Sequence, residues 1–186
     1  MEEIVNILYS IISERGKEKI QSDITSDIEL SRHHIQMILA QCDKRIQVAS
    51  DKTIGSICEA LLHFMLTACT LPSDRKVNID DIDLDIVIPN LHTLRKYPDK
   101  AIVIQISKNA GNIMNKQLKD VIKIQPHVKN LWVVSKKPLL AEHINYVVEP
   151  GKNAKPSIQK RNFHDIIVDI DMFLKKTKDR SFRFFH

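Results

Sequence analysis

Between residues 2 and 14, Ile4, Ile7, Leu8, Ile11 and Ile12 fall at three- and four-residue spacing, the period that gathers apolar side chains on one side of a helix. Gly16 ends that pattern. A second stripe follows at Ile20, Ile24 and Ile28, and a third at Ile35, Ile38 and Leu39, with Glu29-Leu30-Ser31 between them. Ser31 suits the N-cap of the third helix and Leu30 an apolar plug between the two. Beyond a polar stretch in which Ile46 and Val48 would form a short strand, residues 53–71, "TIGSICEALLHFMLTACTL", place Ile54, Ile57, Cys58, Leu61, Leu62, Met65 and Leu66 on one broad face. That breadth predicts a core helix, and the change in pattern divides the chain into a small helical module, 1–50, and a larger domain, 51–186.

The larger domain then alternates strand and helix patterns. "DLDIVIP" (83–89) and "AIVIQIS" (101–107) are β-branched runs joined by a polar connection through Pro98-Asp99, which reads as a turn, so they are expected to neighbour one another in a hairpin. Ile113, Leu118, Val121 and Ile122 mark a helix, "NLWVVS" (130–135) and "INYVV" (144–148) two more strands, and residues 163–176 a closing amphipathic helix. The order from residue 53 is α-β-β-α-β-β-α, an α/β arrangement. "EPGKNAKPS" reads as a loop from its Pro and Gly content. No internal repeat or low-complexity tract interrupts the pattern.

Charge and cysteine content narrow the function classes. Of 186 residues, 43% are hydrophobic and 27% charged, as in ordinary globular domains. The formal charge of +5 and a pI near 9.1 favour an anionic partner such as nucleic acid. Cys42, Cys58 and Cys69 are odd in number and lack the spacing of a zinc site, so reduced thiols are expected. No apolar run reaches the roughly 20 residues of a membrane span, and the acidic start "MEEIVNILYS" is unlike a signal peptide. A cytoplasmic protein without a membrane partner is the expectation.

The stretch "IQSDITSDIELSRHHIQMILAQCDKRIQV" (20–48) resembles a winged helix-turn-helix, in which the helix after the tight turn enters the major groove. The resemblance implies DNA contacts from the polar side of that helix and its end: Ser31, Arg32, His33, Gln36, Gln41, Lys44 and Arg45. A three-helix packing or dimerisation unit is the alternative reading of the same pattern. The tail "KKTKDRSFRFFH" combines Lys175, Lys176, Lys178, Arg180 and Arg183 with Phe182, Phe184 and Phe185, which suits phosphate contact with apolar anchoring, folding back on the protein, or dimer packing.

In the larger domain Glu59 lies within an apolar helix, with Gly55, Ser56 and His63 on the same stripe. A carboxylate there needs a partner such as a cation. Strict alternation along 83–89 puts Asp83, Asp85 and Val87 on one face and Leu84, Ile86 and Ile88 on the other, and puts Val103, Gln105 and Ser107 together on the next strand, followed by Lys108. Glutamate on a helix, aspartate on a strand and "VIQISK" on the neighbouring strand resemble the PD-(D/E)XK nuclease superfamily. The resemblance covers residues 53–135 and implies a restriction endonuclease-like mixed sheet flanked by helices, preceded here by the small winged helix-like domain.

It also implies Mg²⁺ or Mn²⁺ held by Glu59, Asp85 and Gln105, and catalysis by these three with Lys108. Gln105 stands at the family's acidic place. Ser107 stands at its lysine place, so Lys108 reaches the site only through a β-bulge or the end of the strand; Lys116 or Lys119 on the next helix would be substitutes, and Asp83 a further ligand. Hard oxygen donors suit Mg²⁺. The implied function is a metal-dependent DNA endonuclease, a homodimer if it cuts duplex. The alternatives are a non-catalytic DNA-binding protein, either a transcriptional regulator or a recombination-complex subunit, and RNA cleavage. The scattered histidines, His33 and His34 on the third helix and His63 near Glu59, read as hydrogen-bonding residues.

Overall fold

The computed structural model describes residues 2–46, 50–108, 111–137, 139, 142–149 and 160–182. Helix α1 (Glu2–Arg15) buries Leu8, Ile11 and Ile12 completely, and Gly16 turns the chain into α2 (Lys17–Ser26) with φ of 82°, a conformation glycine adopts without steric cost. Helix α3 (Leu30–Arg45) starts earlier than Ser31 would place it. The Asp27 side chain accepts from the Glu29 amide at 3.0 Å, taking the capping role, so Ser31 lies inside the helix and is wholly buried. Leu30, expected as the plug of the turn, is 39% exposed. The strand expected around Val48 lies outside the described residues.

Helix α4 (Asp51–Ala68) is capped by Ser50, whose Oγ accepts from the Thr53 amide at 3.1 Å. Strands β1 (Asp74–Ile79) and β2 (Ile82–Ile88) form an antiparallel hairpin. The sequence pattern missed β1 because it is a charged edge strand with little apolar signal. A short helix α5 (Leu91–Lys96) and a 3-10 turn at Pro98–Lys100 lead into β3 (Ile102–Ile106). So β2 and β3 are antiparallel neighbours as expected, joined by a helical crossover instead of a hairpin turn. Then come α6 (Gly111–Ile124), β4 (Leu131–Ser135), β5 (Ile144–Val147), the brief β6 (Lys160–Asn162) and α7 (Ile166–Phe182).

Among the described residues the strands form one mixed sheet of six, in the order β1-β2-β3-β4-β5-β6, with β3 to β6 parallel. Its two faces carry separate cores. Ile86, Ile88, Ile102, Ile104, Ile106, Trp132 and Val134 meet α4, α7 and the N-terminal helices, while Val87, Ala101, Val103, Leu131 and Val133 meet Met114, Leu118 and Val121 of α6. Leu8, Ile20 and Ile38 belong to the same apolar cluster as Ile57, Ile104 and Ile170, so no break in the core marks the division at residue 50. No helix among the described residues is long and apolar enough to cross a membrane. The loop "EPGKNAKPS", apart from Glu149, and the tail beyond Phe182 lie outside the described residues.

Candidate active site at the parting of two strands

Strands β2 and β3 pair through Ile88↔Ile102, Val87↔Val103 and Ile86↔Ile104, and their ladder then stops. Side chains take over where it stops. The Asp85 carboxylate accepts from the Ile106 amide at 2.7 Å, and the Gln105 amide nitrogen donates to the Asp83 carbonyl at 2.9 Å. Backbone groups at the parting are thus satisfied while the strands diverge.

The alternation expected along β2 breaks at Asp85. Leu84 joins the core beneath α6 and Ile86 the core beneath α4, although strict pleating would put both on one face. Lys76, standing between the β1 partners of Ile86 and Leu84, has φ of 51°. A left-handed conformation in a residue with a Cβ costs roughly 1–2 kcal/mol. The local twist turns Asp85 toward α4 instead of leaving it on the face of Asp83. Asp83 stays exposed, accepting from Asn78 Nδ2 at 2.7 Å, and does not line the cleft.

Helix α4 supplies the other carboxylate. Its close approach depends on Gly55: a Cβ there would lie 2.6 Å from the Ser107 carbonyl oxygen and 2.8 Å from Lys108 Cγ. One turn further on, Glu59 Oε2 accepts from Lys108 Nζ at 2.6 Å. β3 ends at Ile106 and the Ser107 amide makes one further bond to the sheet, donating to the Val134 carbonyl at 2.8 Å; Lys108 lies beyond it, which is how a lysine one residue late reaches the helix glutamate. Lys116 and Lys119 are exposed on α6, across the sheet from α4.

Glu59 and Asp85 open into one cleft of about 240 Å³, lined also by Val5 and Tyr9 of α1, Ser56, Ala60 and His63 of α4, and Arg75 and Lys76 of β1. Burial pushes the Asp85 carboxyl above the usual range; Glu59 and Asp83 add to that rise, against the Ile106 amide and Lys108. Burial, then Arg75, lowers His63, with Glu59 opposing. The four-residue spacing that puts His63 on the Glu59 stripe brings it into the same cleft. Burial raises the Cys42 thiol to about 11 and the Cys69 thiol to about 12, and raises Cys58 as well, which disfavours the thiolate form.

Two carboxylates converging on one cleft fit a single hydrated Mg²⁺ or Mn²⁺, which takes one or two carboxylates and keeps several waters. Burial is the main cause of the Asp85 rise and Glu59 adds a smaller one; a cation bound between the two carboxylates would oppose both. Gln105 is buried behind the cleft instead of lining it, and no group of three His, Cys, Asp or Glu side chains with metal-binding geometry occurs among the described residues.

The residues expected to touch DNA are mostly engaged within the protein. Ser31 is buried and cannot present its hydroxyl. Arg32 pairs with Glu29 and, at 2.7 Å, with Asp165; the Gln36 amide nitrogen lies 3.1 Å from His164 Nε2; Arg45 binds Glu14 at 3.0 Å. These contacts fasten α3 to the C-terminal segment and to α1. His33 and Lys44 remain exposed, while His34 is buried against Asp23 at 3.1 Å.

No family model matches the chain, and no curated protein matches it in sequence. Solved structures do match in shape. Metal-depleted Ecl18kI in complex with uncleaved, modified DNA has a TM-score of 0.60 at 10% identity, covering 93% of this chain and 79% of that one. The complex of restriction endonuclease PspGI with substrate DNA has a TM-score of 0.58 at 16% identity, covering 93% of each chain. Metal-depleted Ecl18kI with uncleaved DNA has a TM-score of 0.57 at 10% identity, covering 93% of this chain and 79% of that one.

Proposed function

Since the chain has the restriction endonuclease-like fold, we propose that it is a metal-dependent DNA endonuclease that hydrolyses phosphodiester bonds in the cleft between α4 and the parting of β2 and β3. The observation that carries this reading is that Glu59 of α4 and Asp85 of β2 line one cleft while Lys108, just past β3, donates to Glu59 Oε2 at 2.6 Å. Glu59 and Asp85 would hold Mg²⁺ or Mn²⁺, and Gln105 would offer at most the neutral oxygen of its amide. Such an ion, when bound, acidifies a coordinated water and offsets charge developing on the phosphate.

The chain's own groups do the rest. The Ile106 amide fixes one oxygen of the Asp85 carboxylate and leaves the other for the cleft. Lys108, held by Glu59 at 2.6 Å, keeps a cation where charge accumulates on the scissile phosphate. Val5, Tyr9 and Ala60 give the cleft apolar walls that limit solvent around these charges. With one Glu59–Asp85 pair per chain, cutting both strands of a duplex would call for two copies, so the working form under this reading is a homodimer. On the helix-turn-helix reading, the exposed His33, Gln36, Lys44 and Arg45 of α3 would be the DNA contacts; a cytoplasmic setting accords with reduced Cys42, Cys58 and Cys69.

Labelled linear, nicked, branched and single-stranded DNA, and an RNA control, incubated with wild type and Asp85→Ala test the reading. Cleavage by wild type alone, with Mn²⁺ and not with chelator, is expected. Cleavage that persists in excess chelator, or in Asp85→Ala, would sink it. A second reading, a DNA-binding regulator or recombination-complex subunit with a degenerate site, is favoured by Gln105 and Ser107 at the places where an acid and a lysine are usual. It predicts no Mn²⁺ binding heat that depends on Glu59 and Asp85.

A further inference from the structure

The cleft has a cationic wall that the hydrolytic reading does not use. Arg75 and Lys76 are consecutive on β1, and consecutive residues of a pleated strand project to opposite faces. Both nevertheless line the same cleft. The cause is the left-handed backbone of Lys76, φ 51°, flanked by the intact pairs Arg75↔Ile86 and Val77↔Leu84. The strand keeps its register while one residue leaves the pleat. Lys76 is exposed, so packing of its side chain does not offset that conformation, and strain of this kind persists where a site needs it. Among the described residues no carboxylate forms an ion pair with Arg75 or Lys76, whereas Lys108 is committed to Glu59. His63, one turn beyond Glu59, faces both cations across the cleft.

We propose that Arg75 and Lys76 form a phosphate clamp that grips the backbone of a nucleic-acid strand beside the Glu59–Asp85 pair. Two carboxylates alone repel a polyanion. A guanidinium fork and an ammonium on the facing wall reverse the sign of the field at the mouth, and arginine offers two parallel donors to one phosphate. The choice of DNA as the polymer rests on the nuclease reading.

The test is equilibrium binding of a short DNA duplex, in chelator and over a range of salt, by full-length wild type, Arg75→Ala/Lys76→Ala, Lys76→Gly and Asp85→Asn. The double variant is expected to bind at least tenfold more weakly, with the slope of log affinity against log salt shallower by about 1–2, the loss of one or two phosphate contacts. Lys76→Gly keeps the positive φ without a Cβ, so it is expected to melt no lower than wild type and still lose affinity. Asp85→Asn is expected to bind as well as wild type or better. Wild-type affinity and slope in the double variant overturn the clamp while leaving cleavage by wild type intact. Binding that depends on Arg75 and Lys76 without any cleavage upholds the clamp and removes the nuclease reading. A wild type that binds no duplex at any salt overturns both.

Discussion

Asp85 is the residue at which stability and function pull apart. Its folded carboxyl titrates above the usual range, chiefly because burial disfavours the charge. A carboxyl raised in this way gives its full stabilisation below the unfolded value, near 3.8, and loses it as pH climbs through the raised value. At neutral pH the ionised side chain is therefore a cost. Asp85→Asn, which can still accept from the Ile106 amide, is expected to melt above wild type at pH 7, to lose that advantage below about pH 4, and to cleave nothing. Thermal melts across pH, paired with a Mn²⁺ cleavage assay, check both halves. Lys108→Met is expected to cut cleavage by about 10²–10³-fold, the usual effect of removing one group aimed at developing charge, with metal binding by Glu59 and Asp85 retained in calorimetry. Glu59 and Asp85 were legible in the sequence because carboxylates among apolar residues stand out. The reach of Lys108 was not, since it depends on where β3 stops.

Helix α4 reaches the strand ends because position 55 has no side chain. In an exposed helix, Gly→Ala gains about 1 kcal/mol. Here the new Cβ meets a backbone carbonyl at 2.6 Å, which cannot yield as a flexible side chain would. Overpacking of this kind costs about 1–3 kcal/mol, so Gly55→Ala is expected to lower stability in denaturant titrations and to displace Lys108, with a fall in cleavage larger than the fall in folded fraction. Helix α3 tells the opposite story. Its periodicity was plain, but the partners of its polar face were not: Asp165 and His164 lie more than a hundred residues away and meet it only after folding. Arg32→Ala is accordingly expected to reduce stability and leave duplex affinity within twofold; a tenfold loss of affinity at unchanged melting temperature would return α3 to the DNA interface. The elements missed outright, β1, α5 and β6, were a charged edge strand, a helix of six residues and a polar strand of three, all too short of apolar periodicity to register.

For the molecule as a whole, an α/β order was readable from the alternation of strand and helix patterns, and the mixed sheet flanked by helices followed from the nuclease resemblance. The way the first three helices merge into it was not, because a shared core leaves no mark on local spacing. Residues 1–50 expressed alone are expected to show little helical circular dichroism and no cooperative melt, since Leu8, Ile11 and Ile38 complete their burial against Ile57 and the residues around it. If duplex cleavage needs two copies, its initial rate at low enzyme is expected to rise with the square of protein concentration; a linear dependence down to the lowest active concentration would point to a monomer that nicks. The tie between Arg32 and Asp165 also bears on how the protein comes into being. A ribosome delivers residue 32 seconds before residue 165 at ordinary elongation rates, and through that interval α3 lacks its partner and α4 lacks α7. The core that α4 shares with α7 is therefore complete only after residues 166–182 have emerged, and cleavage of the kind proposed would begin only then.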